Sequence, residues 1–339
     1  MMELIKNKRF KKAGLIIIRH TGHLSHLKNI IETLHDSEFI ITSNFVDEWS
    51  FYKNNISKLS NLTWVGDKDL LLAKVSSFDF LMVFDGLYVR SHENTLIFIK
   101  EAREFKIPVY EIQHGLFQIS INAYHQPLKN NFFDESLITR PASDILLSWF
   151  DTSSGINIGY PPHNMTQPIS SFNPPKPLVS IFTNLHWQAY SRKGRIRILS
   201  DLMKFITAHP NIQFYWKKHH GEAASGLVQE DIKLVEGIFG IEFEKFENLM
   251  FIEFDTDPEQ LISISSHCIC TASSVLLDIE LHKKKCALLI DETTANLVKD
   301  FQSYSIFNTN SSLDTFKNIQ SGLLMPFNEK ALRSAIYSE

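Results

Sequence analysis

Short runs of consecutive apolar residues recur along this chain, and most are followed by apolar positions at three- and four-residue spacing. Residues 14–18 form one such run, followed by Leu24, Leu27, Ile30, Ile31 and Leu34 at helical spacing. Residues 39–42, 80–84, 109–112 and 145–149 repeat the run, and Leu96, Ile97, Ile99 and Ala102 form a helical stripe before Pro108. Runs that are apolar on every residue predict strands covered on both faces, and their alternation with helices predicts a parallel sheet. The pattern restarts at 178–182 and continues through 212–216, 249–252, 267–270 and 286–290. Helical stripes at Ile196, Leu199, Leu202, Met203 and Ile206, and at Val275, Leu276, Ile279 and Leu281, fall between these runs.

Between the two series, Pro161, Pro162, Pro168, Pro174, Pro175 and Pro177 supply half of the twelve prolines. Proline fixes φ and removes a donor, so this stretch breaks both helix and ladder and reads as a linker. The expected organisation is an N-terminal α/β domain over 1–160, a linker over 161–177 and a C-terminal α/β domain over 178–339. Ligands in such doubly wound sheets bind beyond the carboxyl ends of the strands.

At 339 residues the chain suits two cores. With 44% apolar residues, 26 of the residues being Phe, it can bury both. A net charge of −4 argues against non-specific nucleic-acid binding. Cys268, Cys270 and Cys286 all lie in apolar runs and read as buried thiols in a reducing compartment, with no zinc-ligand spacing. No secretory signal and no membrane-length apolar run is visible, so the expectation is a cytoplasmic protein. The basic cluster Lys6, Lys8, Arg9, Lys11 and Lys12 reads first as a solvated terminus; peripheral contact with the inner face of a membrane is the alternative.

Polar residues cluster where strands end. After residue 18 come Arg19, His20, Thr21, Gly22, His23 and His26; a histidine at such an edge suits a general base, and a helix cap accounts for it equally. Asp85-Gly86 follows the run at 80–84, and Gln113-His114-Gly115 follows that at 109–112. Lys217, Lys218, His219, His220 and Gly221 follow the run at 212–216, where a lysine and an imidazole suit a diphosphate and a surface cluster is the plainer alternative. Thr271, Ala272, Ser273 and Ser274 sit where a strand gives way to a helix, and Asp278 falls one turn later. Unpaired N–H groups make such a turn a phosphate cradle, and Asp278 is spaced to accept from ribose hydroxyls; an ordinary serine N-cap is the other account.

In order and spread, Ile107-Pro108 through Gln113-His114-Gly115, then Lys217-Lys218-His219, then Thr271-Ala272-Ser273-Ser274, resemble motifs of GT-B transferases of bacterial surface polysaccharide synthesis. These are the CDP-glycerol glycerophosphotransferases, the Kdo transferases and certain bacterial sialyltransferases. Residues 142–149 and 158–161 also look like segments these enzymes place before their linker, so the resemblance covers residues 14–290. It implies a GT-B fold, two doubly wound Rossmann-like domains facing each other across a cleft. It implies that Lys217, His219, Thr271, Ser273 and Ser274 hold the donor phosphates and Asp278 the ribose. By the same resemblance the catalytic base is His114, His23 or Asp85. Phe84 replaces the first acidic residue of the sialyltransferase pair, and His220 replaces the family proline.

The expected activity is therefore transfer of a glycosyl or alditol-phosphate group from a nucleotide-activated donor, CMP- or CDP-linked, to a glycan or lipid-linked glycan in capsule, lipopolysaccharide or teichoic-acid-type synthesis. Helix N-termini and basic side chains would stabilise the leaving phosphate, so no metal or other cofactor is required. Two rivals share the architecture. A non-hydrolysing nucleotide-sugar 2-epimerase would need acidic residues at the sugar and no acceptor. A catalytically silent glycan-binding or scaffold subunit would turn over no donor.

Overall fold

The computed structural model describes residues 10–18, 24–43, 58–65, 74–84, 93–113, 115, 144–150, 155–161, 177–186, 190–219, 221–222, 225–253, 256–298 and 301–337. The chain divides into two units, Met1–Met165 with Met325–Glu339, and Thr166–Leu324.

The first unit is built on β1 (Lys12–Ile18), β2 (Ser37–Ser43), β3 (Leu62–Val65), β4 (Phe80–Val83), β5 (Val109–Ile112), β6 (Ile145–Ser148) and β7 (Gly155–Asn157). They pair in the order β3-β2-β1-β4-β5-β6-β7, and every pair is parallel. The runs are apolar on every residue because the sheet is covered on both faces. Ile16 and Ile18 enter one core with Leu24, Leu27, Ile30 and Ile31 of α1 (Leu24–Thr33). Leu15 and Ile17 enter the opposite core with Phe98, Ile99 and Ala102 of α2 (Glu93–Glu104). In α2 the buried apolar residue is Phe98, while Ile97, which the predicted stripe included, is 42% exposed.

The second unit repeats the winding with β8 (Leu178–Thr183), β9 (Gln213–Lys218), β10 (Leu249–Phe251), β11 (His267–Thr271), β12 (Lys285–Leu289), β13 (Ser305–Ile306) and β14 (Lys317–Asn318). The order is β10-β9-β8-β11-β12-β13, with β14 antiparallel on β12. Its helices are α3 (Arg192–Ala208), α4 (Gly226–Phe239), α5 (Pro258–Ile264) and α6 (Val275–Leu281). Arg195 is buried in α3 and bonds through Nε to Asp231 Oδ2 of α4 at 2.7 Å, pinning the two helices together. Cys268, Cys270 and Cys286 are fully buried free thiols, as expected, and burial pushes the Cys268 thiol up to about 12.

The last helix, α7 (Glu329–Tyr337), packs on the first unit, so the expected second domain running to residue 339 is corrected at that end. The reason is its apolar stripe: Leu332 and Ile336 are buried in the core that holds α1. Polar contacts fix it further. Arg333 Nη2 meets Asp36 Oδ2 at 2.8 Å, Tyr110 Oη donates to Ala335 O at 3.0 Å, and Lys12 Nζ donates to Ile336 O at 2.5 Å. Of the basic cluster, Lys11 is exposed yet 3.4 Å from Asp36 and Lys12 is half-buried on α7, while Lys6, Lys8 and Arg9 lie outside the described residues. Gly159 takes a left-handed φ of 68° where the returning chain passes, and a Cβ there would lie 2.0 Å from Pro326 O. The proline-rich stretch lies outside the described residues except at Pro161 and Pro177. Among the described residues, no helix is long and apolar enough to cross a membrane.

Candidate functional site

In the second sheet the winding reverses between β8 and β11, so the ends of β9, β8, β11 and β12 line the place where such folds hold ligands. Adjacent strands lie about 4.8 Å apart, which sets the residues after β9 and β11 on either side of the β8 end.

Thr183, the last residue of β8, ties two of these ends together. Its carbonyl accepts from His219 N at 2.9 Å. Its hydroxyl accepts from Trp216 Nε1 at 2.8 Å and donates to Glu222 Oε2 at 2.8 Å. Glu222 is fully buried, and its other carboxyl oxygen accepts from Leu185 N. Burial pushes the Glu222 carboxyl up to about 7, against the Leu185 and Thr183 hydrogen bonds and the Lys218 charge, which pull it down. Burial lowers the Lys218 ammonium in turn. Lys218 lies 4.2 Å from the Phe251 ring centroid and 5.1 Å from that of Trp216.

This frame positions two imidazoles. His186 and His219 stack with centroids 4.7 Å apart and planes at 20°. Burial lowers the His186 pKa, favouring a neutral ring. His219 Nδ1 accepts from Gly221 N at 3.1 Å, so its neutral ring carries the proton on Nε2 and offers it as a donor. Gly221 is required by the approach of His186: a Cβ there would sit 2.3 Å from His186 Nε2. Asn184 Oδ1 and His186 Nδ1 are buried and have no hydrogen-bond partner among the described residues.

On the other side of β8, the turn after β11 carries the serines. Tyr190 is buried and accepts from Ala272 N at 2.9 Å while donating to Leu289 O at 3.2 Å, clamping the turn to the end of β12. Burial drives its phenol well above the usual range. Ser274 is the N-cap residue of α6 and its side chain makes no capping bond, while Ser273 Oγ, one residue earlier, accepts from Val275 N at 3.3 Å. Both serines are half-buried. Asp291, at the end of β12, is a closed carboxylate. Burial would raise its pKa, yet hydrogen bonds from Thr293, Thr294 and Ser191 outweigh that and hold it low.

The structure therefore brings Lys217, His219, Ser273 and Ser274 to one sheet edge, a set of donors suited to an anion. Thr271 is buried inside β11, its hydroxyl 3.5 Å from Phe182 O. Asp278 is 1% exposed, turned into the unit among Leu276, Leu277 and Ile279. His23, Asp85 and His114 lie outside the described residues. Beside His114, Gln113 is buried, accepts from Trp149 N at 2.7 Å and donates to Gly115 O at 3.0 Å. His186, Asn184, Tyr190 and Glu222 were missed from the sequence. The signal for the first two was available, since Asn184 and His186 follow the apolar run 178–182 just as Lys217 and His219 follow theirs.

No protein-family model matches the chain, and no curated protein matches it in sequence. Solved structures match nearly its whole length. The UDP complex of S. aureus MnaA is 10% identical, with a TM-score of 0.61 over 96% of this chain and 95% of that one. The UDP-GlcNAc 2-epimerase of Methanocaldococcus jannaschii is 12% identical, with a TM-score of 0.58 over 96% and 99%. That of Neisseria meningitidis, bound to UDP-GlcNAc, is 12% identical, with a TM-score of 0.55 over 96% and 91%. No family match supports the glycerophosphotransferases, Kdo transferases or sialyltransferases in particular. The structural neighbours are GT-B-type nucleotide-sugar enzymes, and the likeness shows the fold that the motifs implied: two Rossmann-like α/β units of the GT-B class.

Proposed function

We propose that this chain is a nucleotide-sugar enzyme that holds the phosphates of its substrate at the strand ends of the second unit. The reading supported best is epimerisation at C2 of a UDP-sugar, which the sequence offered as an alternative to transfer. The observation that carries it is the likeness of both units, over 96% of the chain, to enzymes described as UDP-GlcNAc 2-epimerases. In this reading Ser273, Ser274, Lys217 and the Nε2–H of His219 meet the diphosphate oxygens, and His186 backs the His219 ring. Basic side chains and hydroxyl donors supply the charge stabilisation, so the reading invokes no metal. Removing and returning the C2 proton needs an acid–base group near the sugar, for which His114, His23 and Asp85 remain the proposed residues. Glycosyl or alditol-phosphate transfer is the second reading, favoured by the order of the His-Gly, Lys-x-His and Ser-Ser motifs.

The test is incubation with UDP-GlcNAc alone in D2O, followed by NMR. Deuterium at C2 and the signals of the 2-epimer are expected without any acceptor. Turnover that waits for a glycan acceptor would move the assignment to transfer. Calorimetry locates the phosphate site. Ser273→Ala with Ser274→Ala should weaken UDP binding by about 1.5–3 kcal/mol for each charge-assisted bond lost. Undiminished UDP affinity in the folded double variant would refute the placement.

A further inference from the structure

The outward face of α4 is unlike the other helix surfaces. Its inner side is spoken for, with Val228, Ile232 and Val235 buried and Asp231 held by Arg192 and Arg195. On the outer side Leu227 is 63% exposed, Leu234 43% and Ile238 64%, and Ile241 just beyond the helix is 36% exposed. Steps of seven and four residues put Leu227, Leu234 and Ile238 on one stripe of the helical cylinder, and Ile241 follows the left-handed Gly240 that ends the helix. Isolated exposed aliphatics are ordinary on protein surfaces, but a stripe of three with a fourth just beyond the helix is the signature of a covered face. Beside the stripe, Gly226 and Gly237 have open space where a Cβ would stand, so another backbone can approach closely.

We propose that this face is where two copies of the chain pair, α4 against α4, antiparallel about a two-fold axis. The charges on the face choose this occupant. Glu230 and Lys233 are both exposed on the same side of the helix. With the axis crossing between residues 232 and 233, Leu227 of each copy falls opposite Ile238 of the other, and Leu234 lies next to its own mate. Glu230 of each copy then comes within two residues, about 3 Å along the axis, of Lys233 of the other. The apolar stripe and the charge pair are thus each self-complementary under one operation, as an isologous interface requires. An anionic membrane is disfavoured, since Glu230, Glu236, Glu242, Glu244 and Glu247, on the helix and in the segment that follows it, outnumber Lys233 and Lys245. Met250, 51% exposed on the edge strand β10, offers further apolar surface on the same unit.

Sedimentation equilibrium on the full chain over a concentration series tests this, with circular dichroism to confirm folding of each variant. The wild type should show a monomer–dimer equilibrium, and Leu234→Glu with Ile238→Glu should be monomeric. Lys233→Glu or Glu230→Lys alone should raise the dimer Kd by at least about tenfold, through like charges set side by side. The double exchange Glu230→Lys with Lys233→Glu should return it to near the wild-type value. A wild type that stays monomeric at its highest soluble concentration overturns the proposal. So does a dimer that survives Leu234→Glu with Ile238→Glu, or a double exchange no better than the single ones. Equal binding of wild type and the Leu234→Glu, Ile238→Glu variant to neutral and anionic vesicles is expected; vesicle binding lost in that variant would reassign the face to lipid.

Discussion

Glu222 makes a sharp demand on the pH dependence of stability. Its carboxyl is fully buried at the end of β9, shared between Thr183 and Leu185, and stands at about 7 in the folded protein against an ordinary 4.5. Between those two values the native state holds a proton that the unfolded chain has released. Stability therefore falls as pH rises through that window, and above pH 7 the folded state carries a buried charge at a cost of about 3 kcal/mol. Glu222→Gln keeps the shape and mimics the protonated acid. Thr183 Oγ1 can accept from the new amide, and the remaining carbonyl oxygen can still accept from Leu185 N.

The assay is urea unfolding of wild type and Glu222→Gln at a series of pH values from 4.5 to 8. The difference in unfolding free energy, variant minus wild type, should climb by about 3 kcal/mol across pH 4.5–7 and then level off. His186 and His267 are lowered by burial and give the opposite slope below pH 6.5, but both remain in the variant and cancel in the difference. A difference that stays flat with pH would show that Glu222 is not the group paying the burial cost, and the network drawn through Thr183 would be wrong.

Two further substitutions probe the same strand ends. Gly221→Ala puts a methyl about where His186 Nε2 stands, so the ring must leave its stack on His219; UDP affinity should fall, and stability by about 1–3 kcal/mol, read by calorimetry and urea unfolding. Tyr190→Phe leaves Ala272 N buried without its acceptor, at about 1–3 kcal/mol by urea unfolding, and an unchanged midpoint would refute the clamp between the serine turn and β12.

The long strands were legible because each is a run of apolar residues covered on both faces, a pattern independent of what covers it. The short ones were not. Residues 62–65 and 155–157 mix polar and apolar positions, and β13 and β14 are two-residue pairings that only the neighbouring strand defines. The allegiance of α7 was hidden for another reason. Leu332 and Ile336 announce a buried face, but nothing local says that the face is α1 and β1 rather than the unit that precedes it. The position of Lys217, His219, Ser273 and Ser274 at strand ends was legible by following each strand to its first polar residues. Glu222 was not, because a glutamate two residues after a pair of histidines reads as solvated until Thr183 and Leu185 close over it. The burial of Asp278 could not be read from helical spacing alone. The sheet decides which side of α6 is inward, and residues 276–279 are all buried there.

The second unit carries polarity that its own packing leaves unsatisfied. Thr183 and Glu222 lock the chain leaving β8 to the chain leaving β9, and the two imidazoles are held parallel as a result. Asn184 Oδ1 and His186 Nδ1, beside that lock, are buried with no partner among the described residues. Each such group costs about 1–3 kcal/mol, and apolar residues of similar shape would avoid the cost. The edge on which they stand also bears Lys217, His219 and the two serines, and it is the edge where the winding of the sheet reverses. Asp291, by contrast, closes its hydrogen bonds internally with Thr293, Thr294 and Ser191. The two strand ends thus differ: the carboxylate at the end of β12 is closed by its own neighbours, while buried polar atoms at the end of β8 are left without a protein partner among the described residues.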